Sequence, residues 1–256
     1  MAARTAGHTA ERADPDRPVI VAHRGLSGTL PENTLPAFRA AVESGADGIE
    51  TDIQRTADGQ LVLMHDETLA RTTNVDRVFP GRADDPVGSF TSAELRRLDA
   101  GGWKDPAYAG TVVPTLAELV RVLRESEVRL YAEFKDPQHY PGVEQQTVEI
   151  LRHHRVLDRV KFESFSVDAL RRVRRLLPDA EVGLASGRAP DDLADLGWLT
   201  SVNIGHRHVD ADLVRTVGAY GVEVTVWTVD DPGHAKWFAD LGVRTITTNR
   251  PDLLAA

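Results

Sequence analysis

The organisation of the whole chain follows from residues 48–66, which read GIETDIQRTADGQLVLMHD. They form two β-rich runs joined at Asp58-Gly59, a dipeptide that favours a two-residue hairpin loop. Counted back from such a loop, Asp52 lies directly opposite His65. Opposed side chains share one face of a sheet, with Cβ atoms ~5 Å apart. The hairpin therefore predicts a carboxylate beside an imidazole.

Glu50 adds a second carboxylate, because it lies two residues before Asp52 and points to the same face of the strand. Taken alone, two acids beside a histidine are typical of a solvated edge strand. The positions of the polar residues elsewhere in the chain decide between that interpretation and a functional site.

Length and composition limit the possible classes of protein. The chain has 256 residues, of which 41% are hydrophobic and 27% charged; this suits one barrel of ~250 residues or two small domains. Its formal net charge of −9 argues against nucleic acid or an anionic membrane as the main partner. It contains no cysteine, which excludes disulfides, thiolate catalysis and Cys-ligated zinc.

The N-terminal residues 1–17 are polar and mixed in charge, without the apolar segment of a signal peptide. No stretch of the sequence reaches the ~18 apolar residues that a membrane span needs. We therefore expect a disordered tail over residues 1–17, no stable membrane insertion and a cytoplasmic location.

Short apolar runs alternate with helical segments along the rest of the chain. Eight of these runs are expected to form parallel strands: residues 19–22, 48–53, 130–135, 160–165, 181–185, 201–204, 222–227 and 245–248. Asn33 or Thr34 is expected to cap the first helix, and a short helix is expected over residues 190–196. The link at Asp58-Gly59 is too short for a parallel crossover to residues 61–64, so we expect these residues to form an antiparallel flap outside the sheet. Eight such units predict an α/β protein with a closed (β/α)8 TIM barrel.

Residues 66–113 interrupt this alternation. They are rich in Pro, Gly and Asp, carry a short helix around residues 92–98, and are too long for an ordinary barrel connection. We interpret them as a subdomain or lid inserted after the hairpin extension of strand 2, within a barrel domain that covers residues 18–256.

Polar side chains fall where barrel enzymes carry their chemistry, at the carboxyl ends of the strands. These residues are His23, Arg24, Glu50, Asp52, Glu133, Lys135, Ser164, Asn203 and Trp227. Such convergence favours a functional site over a solvated edge strand.

Three carboxylates, on Glu50, Asp52 and Glu133, are predicted to share this mouth. Like charges so close are unfavourable unless some are protonated or a cation joins them. Oxygen ligands suit one divalent cation, Mg²⁺ or Ca²⁺, and disfavour zinc. The alternative is a salt-bridge network with Arg24 and Lys135. With a cation present, these two basic side chains leave a net positive charge that matches a phosphodiester anion.

Two histidines, His23 and His65, flank the predicted cluster. Both titrate near neutrality, so they suit a general acid–base pair. The other histidines, such as His153 and His154 on a helix flank, are interpreted as background.

Together these motifs resemble those of the glycerophosphodiester phosphodiesterases. They occur in that family's order over roughly residues 19–251: His23-Arg24-Gly25, Pro31-Glu32-Asn33-Thr34, Glu50-x-Asp52, His65-Asp66, Glu133-x-Lys135, Ser164-Phe165 and Trp227-Thr228. The segment 66–113 is similar to the insertion that these enzymes carry after their second strand.

The resemblance implies metal-dependent hydrolysis of glycerophosphodiesters, such as glycerophosphocholine, to sn-glycerol 3-phosphate and an alcohol through a cyclic phosphate. The roles that it implies are metal binding by Glu50, Asp52 and Glu133, acid–base catalysis by His23 and His65, and phosphate binding by Arg24 and Lys135. Trp227 would wall the glycerol pocket or simply pack at the mouth, and Glu32 would orient Arg24 or the first loop. Which histidine acts first stays open.

The chain departs from the family pattern near its end. Family members often carry Gly-Val-Asp followed by Thr-Asp, where this sequence has Gly242-Val243-Arg244 and Thr248-Asn249. We expect Arg244 to lie away from the site. Asn249 is nearer the mouth and is expected to affect substrate preference or local packing, not the core chemistry.

Two other functions are compatible with these residues. One is a phospholipase D-like lyase that stops at the cyclic phosphate; a lasting cyclic product would identify it. The other is a non-catalytic phosphodiester-binding protein, which would bind without turnover. A binder has no need of two titrating imidazoles beside a metal, so the intact pair favours an enzyme.

Overall fold

Short buried runs form the strands of the barrel. The computed structural model describes residues 17–190 and 193–255. The strands of this part are β1 Val19–His23, β2 Gly48–Arg55, β3 Leu61–Leu63, β4 Arg129–Phe134, β5 Val160–Ser164, β6 Glu181–Ser186, β7 Ser201–Gly205, β8 Glu223–Trp227 and β9 Thr245–Thr248. The eight parallel strands lie where the sequence predicted them.

Helices connect the strands along the outside. They are α1 Leu35–Glu43, α2 Val75–Val78, α3 Ser92–Leu95, α4 Leu116–Arg124, α5 Val143–His153, α6 Val167–Leu176, α7 Ala211–Gly218, α8 Pro232–Asp240 and α9 Pro251–Leu254. The helix expected over residues 190–196 is, in its described part, only a 3₁₀ segment at Leu193–Leu196; residues 191–192 lie outside the described residues.

The parallel strands close on themselves in the order β1-β2-β4-β5-β6-β7-β8-β9, and β9 pairs with β1. Apolar strand residues such as Ile49, Ile53 and Phe162 pack against the surrounding helices in one large core. The predicted (β/α)8 barrel is therefore confirmed, and the strands' carboxyl ends meet at one rim.

The hairpin after β2 has a different register from the predicted one. Ile53 pairs with Leu63 in an antiparallel ladder. Asp52 therefore lies opposite Met64, whose N–H donates to the Asp52 carbonyl at 3.0 Å. The predicted opposition of Asp52 and His65 is wrong by one residue.

A three-residue loop over residues 57–59 causes the shift. The Thr56 N–H donates to the Gln60 carbonyl at 2.9 Å, so the ladder closes one residue earlier than a two-residue loop would require. Asp58 is fixed by a residue distant in sequence, because its carboxylate accepts hydrogen bonds from the N–H and the hydroxyl of Ser92 at 2.8 and 2.7 Å. A tertiary contact thus selects the turn.

The flap expected over residues 61–64 is also different in part. β3 is antiparallel, as predicted, but it hydrogen-bonds to β2 and is the ninth strand of the sheet. The expectation that it stays out of the sheet is wrong, because β2 extends past the end of β1 and leaves an edge that β3 covers.

A second hydrophobic cluster lies under the segment that follows β3. Its buried members are Val62, Met64, Leu69, Val75, Val87, Phe90, Leu95, Leu98, Ala100 and Val113. Most of them belong to the segment 66–113, which therefore has apolar packing of its own. The interpretation of this segment as an insertion, with boundaries at residues 18, 66 and 113, stays a prediction.

The predicted tail lies largely outside the described residues. Its last residue, Arg17, is described and forms an ion pair with Asp47 at 2.8 Å. Among the residues that the structure covers, no helix is both long and apolar enough to cross a membrane. A disordered tail and a cytoplasmic location stay predictions.

Candidate active site

Strand register brings the three acidic residues together. His23 is the cross-strand partner of Glu50, and Asp52 is the partner of Glu133. Oxygen atoms of the three carboxylates lie within 4.8 Å of one another. The three side chains are buried, with Asp52 only 1% exposed. The barrel thus produces the acidic cluster predicted from the strand ends.

Basic and amide groups contact this acidic cluster. Lys135 Nζ lies 2.6 Å from Glu133 Oε1 and 3.2 Å from Asp52 Oδ1. Arg24 Nε lies 3.2 Å from Asp52 Oδ2, which also accepts from Asn33 Nδ2 at 2.7 Å. Asp52 therefore has a cation beside each of its oxygens and accepts a hydrogen bond from Asn33.

The cations do not compensate the three acids equally. Burial opposes ionisation of Asp52, but the charges of Lys135 and Arg24 outweigh it and hold its pKa below the ordinary value. Burial and the neighbouring carboxylates instead raise the pKa of Glu50 well above its usual range. Burial also raises the pKa of Glu133 to about 7, although Lys135 opposes the rise. Additional positive charge would therefore stabilise the ionised forms of Glu50 and Glu133.

The donor set fits a hard divalent cation. Glu50 Oε1 is buried and has no hydrogen-bond partner among the described residues, whereas such atoms normally have one. Three carboxylates supply only oxygen, which Mg²⁺ and Ca²⁺ prefer. A cation among them would satisfy the orphaned oxygen and the charge together. The identity of the ion stays open.

Arg24 reaches the cluster from a strained turn. Its φ angle of 56° is left-handed, which costs about 1–2 kcal/mol for a residue with a Cβ atom. In this conformation its backbone N–H donates to Glu50 Oε2 at 3.0 Å. Its Nη1 donates to Glu32 Oε1 at 2.9 Å, so the expectation that Glu32 orients Arg24 agrees with the geometry.

One of the two residues predicted to cap α1 is its N-cap. This residue is Thr34, although it makes no side-chain cap hydrogen bond, and Asn33 has another place. Asn33 is also left-handed, with φ 55°, and its side chain bridges Thr51 and Asp52 at 2.7 Å each. Its amide therefore orients a site carboxylate, which the helix-capping interpretation missed.

His23 is held through its Nδ1 atom by Asn249, whose Oδ1 lies 2.8 Å away. Asn249 Nδ2 donates to Asp230 at 2.9 Å, which turns Oδ1 towards the imidazole. His23 therefore carries its proton on Nδ1 and leaves Nε2 free, 4.0 Å from Glu50 Oε2. Asn249 therefore contacts an imidazole of the site; the expectation that it affects only substrate preference or local packing stays a prediction.

Burial and the charge of Arg24 lower the pKa of His23 to about 4. This imidazole is therefore neutral near pH 7 and able to accept a proton at Nε2.

His65 is oriented by the residue that follows it. Its Nδ1 lies 2.7 Å from Asp66 Oδ1, and an ionised carboxylate can only accept, so the Nδ1 proton is fixed there. Burial lowers the pKa of His65, although Asp52 and Asp66 oppose the change. His65 lines the same cavity as His23. The two imidazoles meet at the mouth even though the predicted hairpin register is wrong.

Gln54 holds the backbone on both sides of His65. It is 2% exposed, and its Nε2 donates to the carbonyls of Met64 and Asp66 at 2.8 and 2.7 Å. Its Oε1 accepts from the Tyr140 hydroxyl at 2.9 Å. Sequence reasoning missed Gln54, although its position two residues after Asp52 places it on the inward face.

We expect Gln54→Leu to lower the free energy of unfolding by about 2–4 kcal/mol, because it leaves two carbonyls and a hydroxyl without partners. Denaturant unfolding measures the loss. Gln60→Leu is the matched control, because Gln60 lies exposed on the same hairpin and should change stability by less than about 0.5 kcal/mol. Equal stability of the two variants would contradict the role of Gln54.

Aromatic side chains form another wall of the mouth. Trp227 Nε1 donates to the Asn203 carbonyl at 2.9 Å, and its ring meets Phe165 edge-on at 6.2 Å. Trp227, Phe165 and Asn203 line the cavity. Ser164 instead donates to the Phe134 carbonyl at 3.0 Å, an interaction that anchors the strand end.

One cavity therefore collects the polar residues predicted from the strand ends. Its lining includes His23, Arg24, Glu50, His65, Glu133, Lys135 and Trp227, and Asp52 contacts two of them. Paired imidazoles suit proton transfer, and paired cations suit an anionic ester. Fold and site together define the class of a TIM-barrel enzyme with an acid–base pair beside a cationic site for an anionic ester.

Comparison with known proteins agrees with this class. Residues 23–253 match the Glycerophosphoryl diester phosphodiesterase family. A glycerophosphodiester phosphodiesterase of Caldanaerobacter subterraneus is 34% identical over 240 residues, covering 92% of this chain and 96% of that protein. One of Bacillus subtilis is 34% identical over 260 residues, covering 93% and 86%.

A solved structure has the same architecture. It is that of an Oleispira antarctica phosphodiesterase in complex with the product sn-glycerol-3-phosphate. Its TM-score is 0.82 at 30% identity, and the match covers 93% of this chain and 95% of that one. The chain described here belongs to the glycerophosphoryl diester phosphodiesterase family. It is an enzyme, with the activity of a glycerophosphodiester phosphodiesterase.

Proposed function

We propose that this enzyme hydrolyses glycerophosphodiesters to sn-glycerol 3-phosphate and an alcohol by acid–base catalysis through a cyclic phosphate. The observation that carries the proposal is the meeting of His23 and His65 in a cavity that also holds Arg24, Lys135 and an acidic cluster. The glycerol 3-phosphate bound to the Oleispira antarctica relative supports the proposed product.

His23 is the proton acceptor of the first step in this proposal, because its Nε2 is free and its low pKa keeps it neutral. It takes the proton of the glycerol 2-hydroxyl, whose oxygen attacks phosphorus. The bond from phosphorus to the alcohol oxygen breaks, and His65 donates a proton to that oxygen. Asp66 stabilises the imidazolium of His65 from which this proton comes.

Hydrolysis of the cyclic phosphate reverses the two roles. His65 removes a proton from water, whose oxygen attacks phosphorus, and His23 returns its proton to the 2-oxygen. Arg24 and Lys135 lie beside the cavity and hold the anionic phosphate throughout. Trp227 forms the wall against which the glycerol part packs.

Glu50, Asp52 and Glu133 would hold one divalent cation, Mg²⁺ or Ca²⁺. Such an ion, when bound, polarises a phosphoryl oxygen and orients hydroxyl groups. Asn33 and Lys135 keep the Asp52 carboxylate in place from opposite sides.

The test is an assay of the purified protein with glycerophosphocholine and glycerophosphoethanolamine in Mg²⁺, Ca²⁺ or chelator. We expect glycerol 3-phosphate to form with a divalent ion and not with chelator. A cyclic phosphate that persists would favour the lyase alternative. Binding of the diesters without any product would contradict the proposal and favour a binding protein.

If His23 accepts the proton, a negative charge placed beside its imidazole should change the pH dependence of kcat/KM. The double variant Asn249→Asp with Asp230→Asn places the carboxylate of this pair against His23 and keeps the net charge. A nearby negative charge raises the pKa of an imidazole, by about one unit or more. His23 must be neutral to accept a proton, so the acidic limb of the kcat/KM profile should move to higher pH. An unmoved acidic limb would contradict this assignment.

A further inference from the structure

Arg71 lies in the segment 66–113 and contacts two carboxylates at once. Its Nε and Nη2 donate to the two oxygens of Asp66 at 2.5 and 3.0 Å. Its Nη1 and Nη2 donate to the two oxygens of Glu32 at 2.8 and 2.6 Å. One guanidinium thus makes four charge-assisted hydrogen bonds, the kind that combines strength with fixed geometry.

Each of the two carboxylates holds a residue of the cavity. Asp66 Oδ1 contacts His65 Nδ1 at 2.7 Å, and Glu32 Oε1 accepts from Arg24 Nη1 at 2.9 Å. A continuous chain of hydrogen bonds therefore runs from the imidazole of His65 through Arg71 to the guanidinium of Arg24. Both ends of the chain line the cavity.

We propose that Arg71 is a positioning residue, which fixes the His65 imidazole relative to the Arg24 guanidinium. The inference rests on the proposed function, in which His65 transfers a proton at the phosphate that Arg24 holds. Arg71 itself does not touch the substrate. It acts through Asp66 and Glu32, which come from different segments of the chain.

The charges explain why one guanidinium is needed here. Asp66 and Glu32 are partly buried, which opposes ionisation, but the hydrogen bonds and charges of Arg71, together with His65 at Asp66 and Arg24 at Glu32, outweigh burial. They hold the pKa of Asp66 at about 2 and that of Glu32 below its ordinary value. Without Arg71 the two anions would repel each other, and His65 and Arg24 would move apart with them.

An isolated surface ion pair contributes little to stability, but bidentate networks are an exception. The expected effect of Arg71 is on turnover, because small displacements of reacting groups lower rates steeply. Lysine carries its charge on one nitrogen and cannot span four carboxylate oxygens. Arg71→Lys therefore keeps the charge and removes the geometry.

We expect Arg71→Lys to lower kcat by about 10–100-fold, since a misplacement of about 1 Å at the reacting groups can cost about 10²-fold. KM should change much less than kcat, because Arg24 and Lys135 still hold the phosphate. In Arg71→Gly, added guanidinium ion should restore part of the lost kcat, since the vacated position can take the free ion.

Arg82 offers a matched control within the same segment. It also bridges two carboxylates, those of Asp85 and Glu94 at 2.7 and 2.8 Å, and packs on Phe90 at 3.8 Å. These partners do not line the cavity. Arg82→Lys and Arg82→Gly should therefore keep the wild-type kcat per folded molecule, and guanidinium ion should not change it.

The outcomes separate this inference from the proposed function. Wild-type turnover together with an unchanged kcat in Arg71→Lys would overturn the inference and leave the proposed function intact. The inference would also be overturned if the loss of kcat only followed the folded fraction, measured by thermal unfolding, and guanidinium ion did not restore kcat in Arg71→Gly. No turnover by the wild-type enzyme would overturn both. A lowered kcat in folded Arg71→Lys with rescue of Arg71→Gly would support the inference.

Discussion

His23→Ala and His65→Ala are each expected to lower kcat by about 10²–10⁴-fold, the usual contribution of a positioned acid or base. Each imidazole has its Nδ1 hydrogen-bonded, by Asn249 or by Asp66, and its Nε2 available for transfer. Alanine removes the group that accepts or donates a proton at the substrate. The measurement is release of glycerol 3-phosphate at saturating substrate.

The two losses should combine less than additively, because one proton transfer without the other completes neither step. His153→Ala is the control: His153 is exposed at the end of α5, does not line the cavity, and should keep wild-type kcat. Near-normal turnover in both His23→Ala and His65→Ala would refute the assignment. Unfolding measurements on each variant exclude a loss due to misfolding.

Glu50→Gln is expected to abolish stabilisation by Mg²⁺ or Ca²⁺ and to lower kcat by about 10²–10³-fold, since a bound cation contributes several kcal/mol to the transition state. In the wild-type protein a ligand at about 100 times its Kd adds about 2.7 kcal/mol of stability, which raises Tm by several degrees. Thermal unfolding with each ion and with chelator measures this without reference to activity.

In chelator, Glu50→Gln should unfold at a higher temperature than the wild type. Burial and the adjacent carboxylates disfavour the charge of Glu50, and the amide removes it. Glu181→Gln is the control, because Glu181 begins β6 at the opposite end of the barrel and pairs with Arg129. A wild-type Tm that neither ion changes, or an equal ion-induced rise in Glu50→Gln, would contradict a metal at this cluster.

Much of the fold could be predicted because its signals are local. Apolar runs such as 19–22 and 245–248 indicate buried parallel strands whatever their partners are. The hairpin register could not be predicted, because Asp58 is compatible with a two-residue turn and with a contact to Ser92. Only the folded segment 66–113 brings the Ser92 N–H within 2.8 Å of the Asp58 carboxylate. The helix expected over 190–196 rested on a short pattern, which is weak evidence for an α-helix.

The site was predictable to the extent that it follows from strand ends. Glu50, Asp52 and Glu133 converge because parallel strands end at one rim. Several residues that orient site groups were not predictable, because their partners are distant in sequence. Asn249 follows β9 and contacts His23 at the end of β1, and these two strands pair only when the barrel closes. The sequence indicated Asn33 as a possible helix cap. In the structure its backbone is left-handed and its side chain donates to Asp52.

The amino-acid sequence by itself determined the barrel, the family resemblance and the residues at the rim, since periodicity and strand-end position are properties of single segments. The tertiary structure alone decided how those residues are held. Whether His23 has a free Nε2, or Glu50 an unpaired oxygen, depends on contacts between segments that are distant in sequence. The role proposed for Arg71 depends on Glu32 and Asp66, which the fold brings to the same guanidinium.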